Sequence, residues 1–294
     1  MKRFYWFLFL VFMMFFMASN TALAAGHGRE RPMKKGILLV AFGTSVSEAQ
    51  VAFQNIEKRV RAAFPAIPVR WAYTSHIIRH KLAKEGKILD SVEVALAKMM
   101  DEGYTHVGVQ SLHTIPGEEF HDLRRNAHLF EEMAGGFGRV LVGYPLLATE
   151  KDMERVIQAL LENIPGERKA ADGVVFMGHG TPHPSNVFYT ALLYHLQKKD
   201  PNVFVGTVEG APGIEEIQEM LKAKDIKRVF LTPFMSVAGD HARNDMAGDE
   251  PDSWKSILQR AGLVCVPVLK GTAEYDNMVG IWVDHLREVM AHFK

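Results

Sequence analysis

Short apolar runs alternate along this chain with longer stretches in which apolar residues recur every three or four positions, the pattern of strands and helices taken in turn. Strands are expected at 36–42, 68–72, 106–111, 139–143, 173–177, 202–207, 228–232 and 263–268. Amphipathic helices are expected at 47–63, 90–102, 118–133, 151–162, 185–199, 214–224, 252–261 and 273–293. The order predicts an α/β fold of two similar lobes, each a four-stranded mainly parallel sheet flanked by helices, with a cleft between them. The lobes span 34–148 and 149–294, and the terminal helix is free to pack back on the first lobe.

Internal similarity supports the two halves. Val40-Ala41-Phe42-Gly43-Thr44-Ser45 aligns with the segment around Phe176 to Pro182 when Gly43 meets Gly180, and Ser111 to Glu119 aligns with Pro233 to His241. In this register Phe42 is equivalent to His179, and Glu119 to His241. Two lobes related by an approximate twofold axis would bring their strand ends around one cleft.

The most informative stretch is Val174-Val175-Phe176-Met177-Gly178-His179-Gly180-Thr181-Pro182. An apolar run stops at a glycine, shows one imidazole, and is then closed by a second glycine and a proline. His179 therefore falls at the carboxyl end of a parallel strand, where open α/β sheets carry their ligands. The duplication predicts that His179, His241 and Glu119 face one another across the cleft. Two imidazoles and a carboxylate suit an exchangeable divalent metal site, and the carboxylate has a second role open to it as a proton acceptor. A closed structural zinc site would call for more thiolates than the single Cys265 provides. Thr44, Ser45, Thr74, Ser75 and Arg79 follow the first two strands and are candidates for holding an anionic or polar ligand.

Composition adds a location. Met1 to Arg3 form a basic head, Phe4 to Met17 are almost wholly apolar, and Ala22-Leu23-Ala24 offers small residues for cleavage. An apolar core of about 14 residues suits a signal peptide and falls short of the roughly 20 needed to span a bilayer. Residues 1–24 are accordingly expected to be removed, leaving an exported, periplasmic chain with no membrane attachment. Basic and acidic residues balance at 34 each, and no basic run or aromatic stripe points to nucleic acid. With one cysteine no internal disulfide forms, and Leu263-Val264-Cys265-Val266 is expected to be a buried strand.

The segment from Ala238-Gly239-Asp240-His241-Ala242-Arg243-Asn244-Asp245-Met246 to Asp249, continuing through Asp252-Ser253-Trp254-Lys255, closely resembles the signature of anaerobic sirohydrochlorin cobaltochelatases, class II tetrapyrrole chelatases of cobalamin synthesis. Val175 to Gly180, Gln110-Ser111-Leu112-His113, Phe42 to Ser45, Thr74-Ser75 and Ile77-Ile78-Arg79 are similar to that family too. The resemblance covers the chain after about Lys35 and implies a two-lobed lyase that inserts Co2+, or Fe2+, into sirohydrochlorin without ATP. It further implies that His179 and His241 hold the incoming metal and that Glu119 helps bind it or takes pyrrole protons. The export head departs from the family's expected cytoplasmic setting.

His121 is a second departure, because no imidazole is expected two residues past Glu119. It is a candidate axial ligand for haem at a contact between subunits of a homo-oligomer. An exported metal or haem carrier that keeps the chelatase fold is the alternative function, and the export head favours it. Glu119 beside both histidines favours the enzyme, since a carrier needs no proton acceptor at its metal. A periplasmic substrate-binding protein would share the two-lobed plan but leave the Asp240 to Lys255 motif unexplained.

Overall fold

The computed structural model describes residues 31–294, so the expected signal peptide lies outside the described residues. Strands β1 (Lys35–Ala41), β2 (Val69–Tyr73), β3 (His106–Ser111) and β4 (Arg139–Gly143) form one sheet. Strands β5 (Gly173–Gly180), β6 (Val203–Glu209), β7 (Arg228–Pro233) and β8 (Val264–Pro267) form the other. The strand orders are β2-β1-β3-β4 and β6-β5-β7-β8, and every pairing is parallel. The same permutation in each half is the topology that the internal similarity implies.

The helices are α1 (Gln50–Ala63), α2 (His76–Lys84), α3 (Val92–Asp101), α4 (Glu118–Glu132) and α5 (Glu150–Glu162) in the first part of the chain. They continue as α6 (Val187–Lys199), α7 (Ile214–Ala223), α8 (Trp254–Arg260) and α9 (Asp276–Ala291). Helix α2 departs from the expected pattern. It buries only Leu82, too narrow an apolar stripe to register in the sequence, and it starts because the Ser75 hydroxyl accepts a hydrogen bond from the Ile78 N–H. A π-helical turn over Ala242–Met246 was equally silent, since one turn sets no repeat. Strand β8 corrects another expectation. It is an edge strand, with Val264 61% exposed and Cys265 half-buried, and burial pushes the Cys265 thiol up to about 11.

One continuous apolar core contains Ile37, Leu39 and Ala41 from β1, the buried residues of β5 to β7, and Met278, Ile281 and Trp282 from α9. A smaller cluster on the other face of the first sheet gathers Leu38, Val40, Leu96, Met99 and Val109. Successive β1 side chains enter different clusters because strand side chains alternate between faces. Helix α9 follows the second sheet in the chain but packs on β3 and β4 of the first.

A polar clip fixes that helix. His285 on α9 and Asp152 on α5 are 5% and 2% exposed. His285 Nε2 lies 2.9 Å from Asp152 Oδ1, and its Nδ1 lies 3.0 Å from the Tyr144 carbonyl. The other carboxylate oxygen accepts from the Thr149 N–H and hydroxyl in a capping box. Burial by itself raises the Asp152 carboxyl, but the hydrogen bond and charge of His285, with the Thr149 donors, outweigh it and hold the group below its ordinary range.

Truncating His285 leaves a buried carboxylate unpaired. His285→Ala should lose about 3–5 kcal/mol of unfolding free energy in urea at neutral pH. The depressed Asp152 pKa contributes stability above the unfolded value of about 3.9, and in the wild type that contribution should fade as pH drops through the lower folded value.

Candidate active site

Strand β5 runs on through Gly178 and His179 to Gly180 instead of stopping at Met177, with Gly178 paired to Thr207 and Gly180 to Glu209. The turn comes at Gly180, whose φ is +80°. A Cβ there would stand 1.8 Å from the Glu209 carbonyl oxygen, so the position has neither the backbone geometry nor the space for a side chain. Gly43, its counterpart after β1, also has positive φ, at +108°. Buried Tyr189 underlies the β5 turn, where desolvation carries its hydroxyl up to about 12 against hydrogen bonds to the Gly180 and His179 backbone.

The imidazoles of His179 and His241 meet edge to face, with ring centroids 4.6 Å apart and planes at 89°. His179 Nδ1 is 3.0 Å from the Gly180 carbonyl oxygen, an atom that only accepts, so Nδ1 carries the proton. His241 Nδ1 is hydrogen-bonded to the Asp245 carboxylate. A neutral ring whose Nδ1 donates leaves the Nε2 lone pair free, the state in which histidine binds a metal. The π-helical turn brings Asp245 to His241, and other residues of the 240–255 segment bond to one another on that turn and in the loop after it. Asn244 donates to Asp240 over 2.9 Å, the Ser253 hydroxyl donates to the Gly248 carbonyl over 2.7 Å, and Lys255 reaches Asp249 over 2.7 Å.

Glu119 enters from the first turn of α4. Thr74 donates to its Oε2 over 3.2 Å, and His113 Nε2 lies 2.9 Å from the same oxygen, at ion-pair distance though out of hydrogen-bond alignment. His113 is itself fixed, with Nδ1 2.8 Å from the Ser111 hydroxyl and its carbonyl accepting from the Trp282 indole over 3.4 Å. Desolvation raises the Glu119 carboxyl, but the contact with and charge of His113, the Thr74 bond and the charge of His179 together bring it below its ordinary value. Glu119 is thus within electrostatic reach of His179 but is engaged by His113 and Thr74. Among the described residues, no three His, Cys, Asp or Glu side chains converge closely enough to hold a metal ion as they stand. The expected three-way convergence is therefore met by two imidazoles, with the carboxylate held to one side.

The remaining candidates divide by burial. Thr44 and Ser75 are buried, and their hydroxyls accept from the Val46 and Ile78 N–H groups, so they shape the wall from behind. Ser45 and Thr74 are partly exposed at the strand ends. Arg79 is half-buried on α2, with its Nε shielded from solvent and without a hydrogen-bond partner. His121 is exposed on α4, its ring 5.4 Å from that of His183, and both line a groove of 670 Å³ with Glu118, Asp122, Arg125 and Pro182. That groove joins the start of α4 in the first lobe to the loop after β5 in the second.

Sequence reasoning passed over two residues beside these groups. His113 follows β3 within a motif but gains its importance only from the contact with Glu119. Glu209 closes β6, and its pairing with Gly180 sets it beside the His179 turn. The strand-end rule that selects His179 would also have selected Glu209.

Two matching all-parallel sheets, with the His179 and His241 imidazoles meeting at the strand ends of the second, form a two-lobed α/β architecture of the chelatase kind. The chain matches the cobalt chelatase (CbiK) family over residues 35–291 and belongs to that family. Sirohydrochlorin cobaltochelatase CbiKC of Nitratidesulfovibrio vulgaris is 49% identical over 253 residues, which cover 86% of this chain and 89% of that protein. The sirohydrochlorin cobaltochelatase of Salmonella typhimurium is 36% identical over 262 residues, covering 88% of this chain and 97% of the relative. The fold is shared with the sirohydrochlorin chelatase SirB of Bacillus subtilis subspecies spizizenii in complex with cobalt. That match has a TM-score of 0.56 at 16% identity and covers 88% of this chain and 97% of the other.

The pairing of His113 with Glu119 has a direct readout. In His113→Ala, burial acts on Glu119 without its main compensation, and carbon-13 NMR of the metal-free protein should show the carboxyl titrating at higher pH than in the wild type.

Proposed function

We propose that this chain is an ATP-independent lyase that inserts Co2+, with Fe2+ as a second metal, into sirohydrochlorin. The observation that carries the reading is the pair of imidazoles pinned through Nδ1, each with Nε2 free, 4.6 Å apart between ring centroids. Family membership supports the reaction class, and relatives 49% and 36% identical are named sirohydrochlorin cobaltochelatases.

The reaction exchanges two pyrrole N–H protons for one divalent ion. His179 and His241 present the metal from the second lobe, and their few donors leave positions open for the macrocycle nitrogens to take over. Glu119 completes the metal's surroundings or receives a pyrrole proton, and its negative charge near His179 favours an incoming cation. Ser45, Thr74 and Arg79 are placed to meet peripheral carboxylates, whose binding energy offsets the bending that turns pyrrole nitrogens toward the metal. Histidine and carboxylate do not by themselves prefer cobalt over nickel or copper, so selectivity rests on supply and geometry.

The test is anaerobic mixing of the protein with sirohydrochlorin and Co2+ or Fe2+, followed by absorption spectroscopy. Insertion should run well above the protein-free rate and drop at least about 100-fold in His179→Ala and in His241→Ala. Asp245→Asn should lower Co2+ affinity by about 10–100-fold in calorimetry, because it loosens the ring that Asp245 orients. Wild-type insertion no faster than the protein-free control sinks the reading.

We further propose that the chain works outside the cytoplasm, on the basis of its basic, apolar and small-residue head. Cell fractionation should recover it, shortened near Ala25, with periplasmic markers. The exposure of His121 at the groove mouth leaves room for haem ligation between copies of the chain. A Soret band on haem addition that His121→Ala removes is the expected sign, and a colourless wild type after haem addition ends the idea.

A further inference from the structure

The two lobes repeat one topology, yet they do not present the same chemistry at equivalent points. The position that holds His179 after Gly178 in the second lobe holds Phe42 in the first, and each is followed by a positive-φ glycine. Phe42 is 44% exposed, and among the described residues no ring contact is recorded for it. What sets Phe42 apart is its place: a partly exposed phenyl group at the carboxyl end of a parallel strand, where parallel α/β sheets bind their ligands.

Its surroundings connect it to the metal-donor pair. A Cβ on Gly239 would stand 3.2 Å from the Thr44 hydroxyl oxygen, so the turn after β1 abuts the turn that leads into His241. Glu48, just beyond that turn, is close enough to Arg243 for the guanidinium's charge to help lower its carboxyl, after the larger effects of its own N-terminal backbone hydrogen bond and of Ser47. Phe42 thus lies two residues from a segment that touches the His241 turn. The turn itself is firm, because Ile78 and Tyr73 side chains pack on Gly43 and the Ser75 N–H donates to the Phe42 carbonyl over 3.2 Å.

We propose that Phe42 is the stacking surface for the tetrapyrrole, an apolar wall on the first lobe that holds the flat conjugated ring over the His179 and His241 donors of the second. The inference rests on the chelatase reading and deepens it by assigning the macrocycle contact to a named residue. One lobe presents the ion and its pseudo-equivalent presents the ring, so duplication followed by divergence at a single strand-end position yields two complementary walls. Offset stacking of a conjugated ring on a rigid phenyl group costs little side-chain freedom and tolerates the bending that metal insertion requires.

The test compares Phe42→Ala, Phe42→Tyr and Val264→Ala with the wild type, measuring metal-free sirohydrochlorin binding by absorption titration, Co2+ binding by calorimetry, and steady-state insertion. Val264 is a control, since it is exposed at the opposite, amino end of a parallel strand. Phe42→Ala should weaken macrocycle binding and raise its KM by about tenfold, with unchanged Co2+ affinity and melting temperature. Phe42→Tyr should restore most of the loss, and Val264→Ala should match the wild type. Wild-type macrocycle affinity in a folded Phe42→Ala protein that still inserts metal overturns the stacking role alone. A wild type that neither binds nor metallates the macrocycle overturns the chelatase reading and this inference with it.

Discussion

The arrangement depends on a constraint at two imidazole rings: each has one nitrogen committed to a fixed acceptor and the other left with its lone pair. His179 is tied to the carbonyl of its own neighbour, and His241 to a carboxylate on the following turn. Neither tie works unless the backbone is placed first. Gly180 must accept positive φ and press against the Glu209 carbonyl, Tyr189 must fill the space beneath, and a π-helical turn must carry Asp245 into reach. Asn244 on that turn bonds back to Asp240, and Ser253 and Lys255 tie down the loop that follows, so the 240–255 segment consists largely of residues with a structural purpose.

The cleft is built from repetition with one useful asymmetry. Identical strand orders deliver equivalent strand ends to the same region, and positive-φ glycines turn the chain at corresponding points. What differs is the side chain displayed: imidazole in one half, phenyl or carboxylate in the other.

The halves are joined by more than shared apolar surface. Helix α9 leaves the second sheet and packs on the first, and its buried His285 meets Asp152 and the Tyr144 carbonyl. The same carbonyl accepts from Gln110, whose amide also reaches the Ser111 carbonyl, and the Ser111 hydroxyl holds His113 against Glu119. Polar contacts therefore run without a break from the inter-lobe clip to the carboxylate of the cleft. Trp282 on α9 adds a further polar tie, its indole N–H donating to the His113 carbonyl.

Alternating apolar runs and amphipathic stretches were enough to specify an α/β chain of two four-stranded halves, because strand and helix periods are local properties written into neighbouring residues. The punctuation around His179 singled out a strand-end imidazole for the same reason, and the 240–255 segment was legible through its resemblance to the cobaltochelatase signature. Tertiary structure decided what surrounds those groups. Helix α2 has almost no apolar stripe, the π-helical turn has no period, and the exposure of β8 follows from its place at a sheet edge. The role of His113 and the sideways hold on Glu119 depend on contacts between segments far apart in the chain, and such contacts leave no mark on local pattern. Sequence determined what each strand end would carry and that His179 and His241 would converge, and only packing decided that the carboxylate would lean on a third imidazole.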